Sequence, residues 1–185
     1  MPRYDVPKAA PEPLALVQRF VNTVDLEHER EWLATPPELE AWLRESGLPV
    51  DGALGEADLS RTIELREALR ALLRAHNGAG PDPDAISVFN ATAAAARLSL
   101  ELDHAGRVAL ESYGRGIDAA LGQIVALVLR EMLEGRWERL KACRNCRWAF
   151  YDYSRNRSAS WCSMLLCGNR LKTRSYRRRR KARAV

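Results

Sequence analysis

Four cysteines, the whole complement of this 185-residue chain, fall between Cys143 and Cys167 as two short pairs. Two residues lie inside the first pair, Cys143 and Cys146, four lie inside the second, Cys162 and Cys167, and fifteen separate the pairs. Two close pairs joined by a loop let one continuous chain bring four sulfurs around a single tetrahedral ion, with metal–sulfur bonds of about 2.3 Å. A redox dithiol at Cys143 and Cys146 would leave the second pair unexplained, and ordinary buried thiols would leave the spacing unexplained. The spacing therefore predicts one structural Zn²⁺ held by Cys143, Cys146, Cys162 and Cys167, with no cysteine left as a nucleophile. A segment of this length has too little apolar surface to fold unaided, so metal binding has to supply its folding energy.

The charge divides the chain at the same place. From Arg136 to Val185 there are 16 Lys and Arg against Glu138 and Asp152 alone, a net of +14, while the preceding part carries 13 basic and 22 acidic residues, a net of −9. So positive a field on so short a segment gathers polyanions, and nucleic acid is the commonest of them in a cytosol. Arg155 and Arg157 lie between the cysteine pairs. Arg170, Lys172, Arg174 and the run Arg177, Arg178, Arg179, Arg180 and Lys181 follow the last cysteine. If that last segment is helical, Arg170, Arg174, Arg177 and Lys181 share one stripe suited to phosphates. Asn156 and Asn169 have side chains that could reach bases, and equally could cap turns.

The segment WCSMLLCGNR, preceded by a cysteine pair and by SRNRS at 154–158, resembles the CGNR zinc-finger family, named for Cys167, Gly168, Asn169 and Arg170. The resemblance implies a bacterial transcription regulator with a stress-related N-terminal domain called ABATE. Duplex DNA is then the expected partner, and a homodimer would match the symmetric sites that such regulators read. A small-molecule effector of the N-terminal domain is a further expectation of that class. Two other outcomes stay open: a zinc protein that binds RNA, and a protein-interaction module whose basic face meets an acidic partner.

The remainder reads as mostly helical. Residues 1–12, rich in proline, are expected to form a loose arm. Leu14, Val17, Phe20, Val21 and Val24 recur at helical spacing, and Asn22, Thr23 and Asp25 form a polar patch, either a helix end or the lining of a small pocket. Thr35-Pro36-Pro37-Glu38 starts a second helix, which Gly47 ends. Residues 48–55 form a linker expected to be exposed, and helices follow over 56–76 and 82–96. Residues 97–102 and 107–111 alternate apolar with polar side chains, which predicts a β-hairpin with one buried face. The stripe of Ile117, Leu121, Ile124, Val125, Val128 and Met132 predicts a central helix ending before Gly135. Trp137 and Leu140 can then dock the cysteine module, with Trp148 and Trp161 shielding its sulfurs; Tyr151 and Tyr153 suit either that small core or base stacking.

The expected architecture is mainly α with a small β-hairpin: an α-rich domain over 1–135 for sensing or dimerisation, and a four-cysteine zinc-finger module with a basic tail over 136–185. The longest apolar run, Ile124 to Leu129, is far short of the roughly 18 residues of a membrane span. The start of the chain lacks the apolar stretch of a secretory signal. A cytoplasmic, nucleoid-associated protein without a membrane partner is expected. His28, His76 and His104 are scattered, no catalytic constellation is visible, and no enzyme is expected.

Overall fold

The computed structural model describes residues 8–169 and Thr173. Five helices surround one main core: α1 (Leu14–Val21), α2 (Pro36–Glu45), α3 (Glu56–Ala75), α4 (Pro83–Ala95) and α5 (Ile117–Leu133). Three two-stranded antiparallel hairpins complete it: β1 (Val24–Asp25) with β2 (Arg30–Glu31), β3 (Leu98–Leu102) with β4 (Val108–Ser112), and β5 (Leu140–Ala142) with β6 (Ala149–Tyr151).

Local chemistry explains where the helices begin and end. Thr35 caps α2, its Oγ1 accepting from the Glu38 N–H at 3.4 Å, while the Glu38 carboxylate reaches back to the Ala34 N–H at 3.1 Å. Asp82 caps α4 by accepting from the Ala85 N–H at 3.1 Å, with Pro83 in the first turn. Gly47, at φ +70°, ends α2 in the left-handed region. As the apolar stripe predicts, α5 is the central helix: Ile117, Ala120, Leu121, Ile124, Val125 and Val128 are all buried in the main core.

Three local expectations fail. The arm is not loose where the structure describes it. Ala10 is buried and its N–H donates to Gln18 Oε1 at 2.6 Å, the Lys8 carbonyl accepts from the Tyr151 N–H at 2.9 Å, and Lys8 Nζ donates to the Trp161 carbonyl at 2.7 Å. Residues 1–7 lie outside the described chain. The 48–55 linker is not fully exposed either, since Leu48 is buried and Val50 and Leu54 pack on the core.

The third failure is the β3–β4 hairpin, whose apolar face is largely uncovered. Its register pairs Leu100 with Leu110 and Leu102 with Val108, so these side chains share one face. At the root, α5 comes so close at Gly122 that an added Cβ would lie 2.6 Å from Ala96 Cβ. Toward the tip the face lacks cover: Leu100 is 66% exposed, Leu102 70% and Val108 63%, with Leu133 at the end of α5 77% exposed beside it.

The β5–β6 hairpin governs the rest. Leu140 pairs with Tyr151 and Ala142 with Ala149, and all four belong to the main core, together with Trp137. Lys141 and Phe150, the intervening pair, face the other way; Phe150 joins the cysteines in a second core. The main core thus runs across Gly135 into the cysteine segment.

A strand pair buried on both sides must have its backbone polar groups paired. Helix side chains do this. Asn22 Nδ2 donates to the Ala149 carbonyl at 3.0 Å, and Asn22 Oδ1 accepts from the Ala149 N–H at 2.8 Å. Gln18 donates to the same carbonyl at 3.0 Å. From α3 and the turn after it, His76 Nδ1 donates to the Leu140 carbonyl at 2.8 Å, and Asn77 Nδ2 donates to the carbonyls of Ala142 at 2.8 Å and Ser160 at 3.0 Å. Burial pushes the His76 imidazole below its ordinary pKa, which keeps it neutral for this contact. Of the polar patch, Asn22 is therefore a latch on β6, with Gln18 beside it. Thr23 is likewise engaged, donating to the Phe20 carbonyl and accepting from Arg66.

Replacing Asn22 with Ala strips the buried Ala149 N–H of its acceptor. An unsatisfied buried donor costs about 1–3 kcal/mol. Denaturant unfolding of the zinc-loaded protein should register a loss of that size for Asn22→Ala; a loss below about 0.5 kcal/mol, the ordinary value for a surface substitution, would show that the latch does not hold the hairpin.

Candidate metal centre

The first cysteine pair sits in the turn that closes β5–β6. The Cys143 N–H donates to the Trp148 carbonyl at 2.9 Å and the Arg147 N–H to the Cys143 carbonyl at 3.0 Å, curling the chain into a knuckle. Arg147 takes φ +61°, and Arg70 Nη1 holds its carbonyl at 3.1 Å. Cys167 of the second pair sits on one π-helical turn, Met164–Gly168, and Cys162 lies just before the residue that caps it. Ser163 caps that turn by accepting from the Leu166 N–H at 3.3 Å, and its carbonyl accepts from the N–H groups of Cys167 and Gly168 at 3.0 and 3.1 Å. Gly168 is closely packed: an added Cβ would lie 2.4 Å from Met164 Sδ and 3.2 Å from Trp161 Cδ1.

The loop between the pairs is tied down by Asp152. This fully buried carboxylate accepts from Lys141 Nζ at 2.8 Å and from the N–H groups of Ser154 and Ala159 at 2.9 Å each. Burial acts to raise its pKa, but the Lys141 ammonium and the Ser154 contact outweigh it and hold Asp152 down at about 2. Arg139 donates to the carbonyls of Asp152 and Ser154, at 2.9 and 3.1 Å.

These elements converge the four sulfurs. All four thiol groups are buried and their Sγ atoms lie within 4.8 Å of one another. The separations are 3.6 Å for Cys146–Cys162, 3.7 Å for Cys162–Cys167 and 3.5 Å for Cys146–Cys167. Tetrahedral Zn–S bonds of about 2.3 Å imply sulfur–sulfur edges of about 3.8 Å, so the cluster has the size of a zinc site. Hydrogen bonds from Cys146 and Cys162 hold the Cys143 sulfur far below the ordinary thiol range, and the same contacts push Cys146 and Cys162 above it. Four sulfurs this close cannot all be thiolates without a cation among them. A zinc ion supplies that charge and ties the two knuckles together, its four ligands leaving no open coordination position.

Trp148 and Phe150 are buried against the cluster and Trp161 and Trp32 pack beside it, so Trp148 and Trp161 shield the sulfurs as expected. Tyr151 belongs instead to the main core, while Tyr153 is exposed and its hydroxyl donates to the Ala9 carbonyl at 2.7 Å. Asn145 Nδ2 donates to Cys167 Sγ at 3.5 Å, an outer partner of the site that nothing local in the sequence marked.

Two family models match the chain. One, ABATE, described as "putative stress-induced transcription regulator", matches residues 14–151, and the other, the CGNR zinc finger, matches residues 139–180. The chain belongs to the ABATE family and ends in a CGNR zinc finger. No curated protein matches it. The two matches overlap over 139–151, the stretch that contains β5, the first knuckle and β6. The ABATE–CGNR chain is thus a zinc-containing member of a regulator family, with one structural zinc in the finger.

Of the basic and polar residues singled out for DNA, the structure describes four, of which Asn156 is exposed in the turn between Arg155 and Arg157. Arg155 is exposed and has no carboxylate partner among the described residues. Arg157, at φ +50°, forms an ion pair with Glu138 at 3.2 Å. Asn169 is exposed, and its carbonyl accepts from Thr173 Oγ1 at 2.9 Å. Arg170, Lys172, Arg174, Arg177, Arg178, Arg179, Arg180 and Lys181 lie outside the described residues.

Cobalt titration of the apo-protein should fill one tetrahedral all-thiolate site per chain. Asn145→Ala should weaken metal affinity by roughly 10- to 100-fold, as loss of an outer partner does, and Cys162→Ser by more. A Cys162→Ser variant that keeps wild-type affinity would remove that residue from the ligand set.

Proposed function

We propose that this chain is a DNA-binding transcription regulator without enzymatic activity. Its zinc finger is a rigid platform for arginines that contact duplex DNA, and its helical domain serves sensing or dimerisation. The observation that carries the reading is the net +14 between Arg136 and Val185, the segment that holds all four metal-site cysteines, next to a domain of net −9. A regulator-family match over 14–151 adds to it. Arg155 and the arginines after Asn169 are the proposed phosphate contacts, and Asn169 a candidate base contact. Arg157 makes the weaker candidate, because Glu138 already neutralises it.

No described helix is long and apolar enough to cross a membrane, and a cytoplasmic, nucleoid-associated location follows from the proposed activity. A four-thiolate site with no open position supports a structural rather than a catalytic zinc.

The test is duplex DNA binding by the zinc-loaded chain across a salt series. The expected result is a steep fall in affinity with salt, strongly flattened in a chain ending at Thr173. Equal or tighter binding to single-stranded or structured RNA would replace DNA with RNA as the target. No binding to either would sink the nucleic-acid reading.

For the helical domain, the uncovered apolar face around Leu100, Leu102 and Val108 supports dimerisation over sensing. Sedimentation velocity should find twice the monomer mass at micromolar concentration for the wild type, and the monomer mass for Leu102→Lys. A wild-type monomer at that concentration would remove dimerisation from the proposal.

A further inference from the structure

We propose that a cleft between the end of α3 and the first knuckle is a phosphate-binding site, formed by Arg74, Arg144 and Arg147, and that its occupant is a backbone phosphodiester of the bound nucleic acid. The inference rests on the nucleic-acid reading above and extends it in one respect: the ABATE domain itself contributes to the contact surface.

The cleft has a volume of about 370 Å³, and no carboxylate among the described residues lines it. Arg74 comes from the last turn of α3, and Arg144 and Arg147 from the turn that carries Cys143 and Cys146. All three side chains are exposed, and none makes an ion pair among the described residues. Other arginines of the chain do: Arg66 meets Glu31 at 2.7 Å, Arg70 meets Glu67 at 2.9 Å, and Arg157 meets Glu138 at 3.2 Å. Three unneutralised guanidinium groups around one cleft repel one another, and an anion held among them relieves that repulsion.

The groups are also positioned. Arg144 Nε donates to the Asn77 carbonyl at 2.7 Å, which restrains the guanidinium where Arg144 lines the cleft and leaves its Nη groups without a partner among the described residues. Gly78 makes room for it: an added Cβ there would lie 2.8 Å from Arg144 Nη2, and φ is +88°. Asn77, which supplies that carbonyl, is itself held by the carbonyls of Ala142 and Ser160. Arg147 sits at φ +61°, an uncommon conformation for a non-glycine residue, kept in place by the Arg70 contact to its carbonyl and by its own N–H bond to Cys143. A planar guanidinium fork matches the oxygens of a phosphate in bidentate fashion. The cleft is open and exposed, which suits one phosphate of a polymer lying across the surface.

A free phosphate would satisfy the same chemistry, and the test separates the two. Arg74→Ala, Arg147→Ala and Arg144→Ala are compared with Arg115→Ala, an exposed arginine before α5, all in the full zinc-loaded chain. One cobalt site per chain and a wild-type unfolding midpoint are required of each variant. Arg74→Ala and Arg147→Ala carry the weight, since neither side chain makes a hydrogen bond within the described residues, whereas Arg144→Ala loses the Asn77 contact as well.

In duplex DNA binding, each of the three should flatten the log affinity against log salt slope by about 0.9 per lost phosphate contact, with Arg115→Ala unchanged. Wild-type slopes in Arg74→Ala and Arg147→Ala, with DNA still bound, would overturn the site and leave the DNA-binding reading standing. If the wild type binds no nucleic acid, that reading falls and inorganic pyrophosphate decides the site. A saturable shift of the Arg144 Nε–H resonance, lost in Arg74→Ala and Arg147→Ala, would keep it as a free-phosphate site. No shift would overturn it.

Discussion

A two-stranded sheet of three residues a side is buried on both faces, and the rest of the molecule is arranged to make that tolerable. Among the described residues the β5–β6 hairpin has no third strand to pair its outer backbone groups, and neither face opens to water. Buried amide groups left without partners are expensive. The helical domain answers with polar side chains placed where a hydrophobic stripe would otherwise continue: Gln18 and Asn22 on and after α1, His76 and Asn77 at the end of α3. The metal answers on the other side, since the knuckle turn that joins the two strands is fixed by its own ligands. Each half of the chain thus supplies what the hairpin lacks on the face it covers.

Helix α3 shows the same economy in its charges. Arg66, Arg70 and Arg74 stand four residues apart on one stripe. Arg66 and Arg70 are both buried, and their guanidinium groups are matched: Arg66 by Glu31 and Glu67, Arg70 by Glu67 and by the carbonyls of Val21 and Arg147. Burying such charges is tolerable only with complete pairing. Arg74 reaches the surface, where pairing is optional, and goes without it. A single sequence pattern therefore yields two structural arginines and one available for a partner.

How much of this the sequence discloses depends on the range of the interaction. Helix boundaries rest on neighbours, and Thr35, Gly47, Asp82 and the α5 stripe are legible because caps and periodicity act within a few residues. The cysteine spacing is legible for the same reason: tetrahedral ligation constrains loop lengths. The latch is not, because Asn22 meets Ala149 across 127 positions, and nothing local distinguishes it from a polar helix end. Asn145, which touches a sulfur from inside the first knuckle, looks like any turn asparagine. The alternation of residues 97–111 correctly gives a hairpin, but alternation reports which face is apolar and leaves open what covers it. The proline-rich beginning misleads in the opposite direction, since a segment without periodicity can still be held by backbone contacts, as residues 8–10 are.

The overlap of the two family matches over 139–151 has a consequence for how such a protein can be taken apart. Shuffling of domains works where a cut severs a linker and leaves two closed surfaces. A cut at Gly135 would leave the helical bundle with an open trough whose floor carries the side chains of Gln18, Asn22 and Asn77, and would leave the finger with Leu140, Ala142 and Ala149 facing water. Neither piece is a free-standing part. The finger is better understood as a metal-pinned edge of the helical domain, transplantable only together with the helices that seat it.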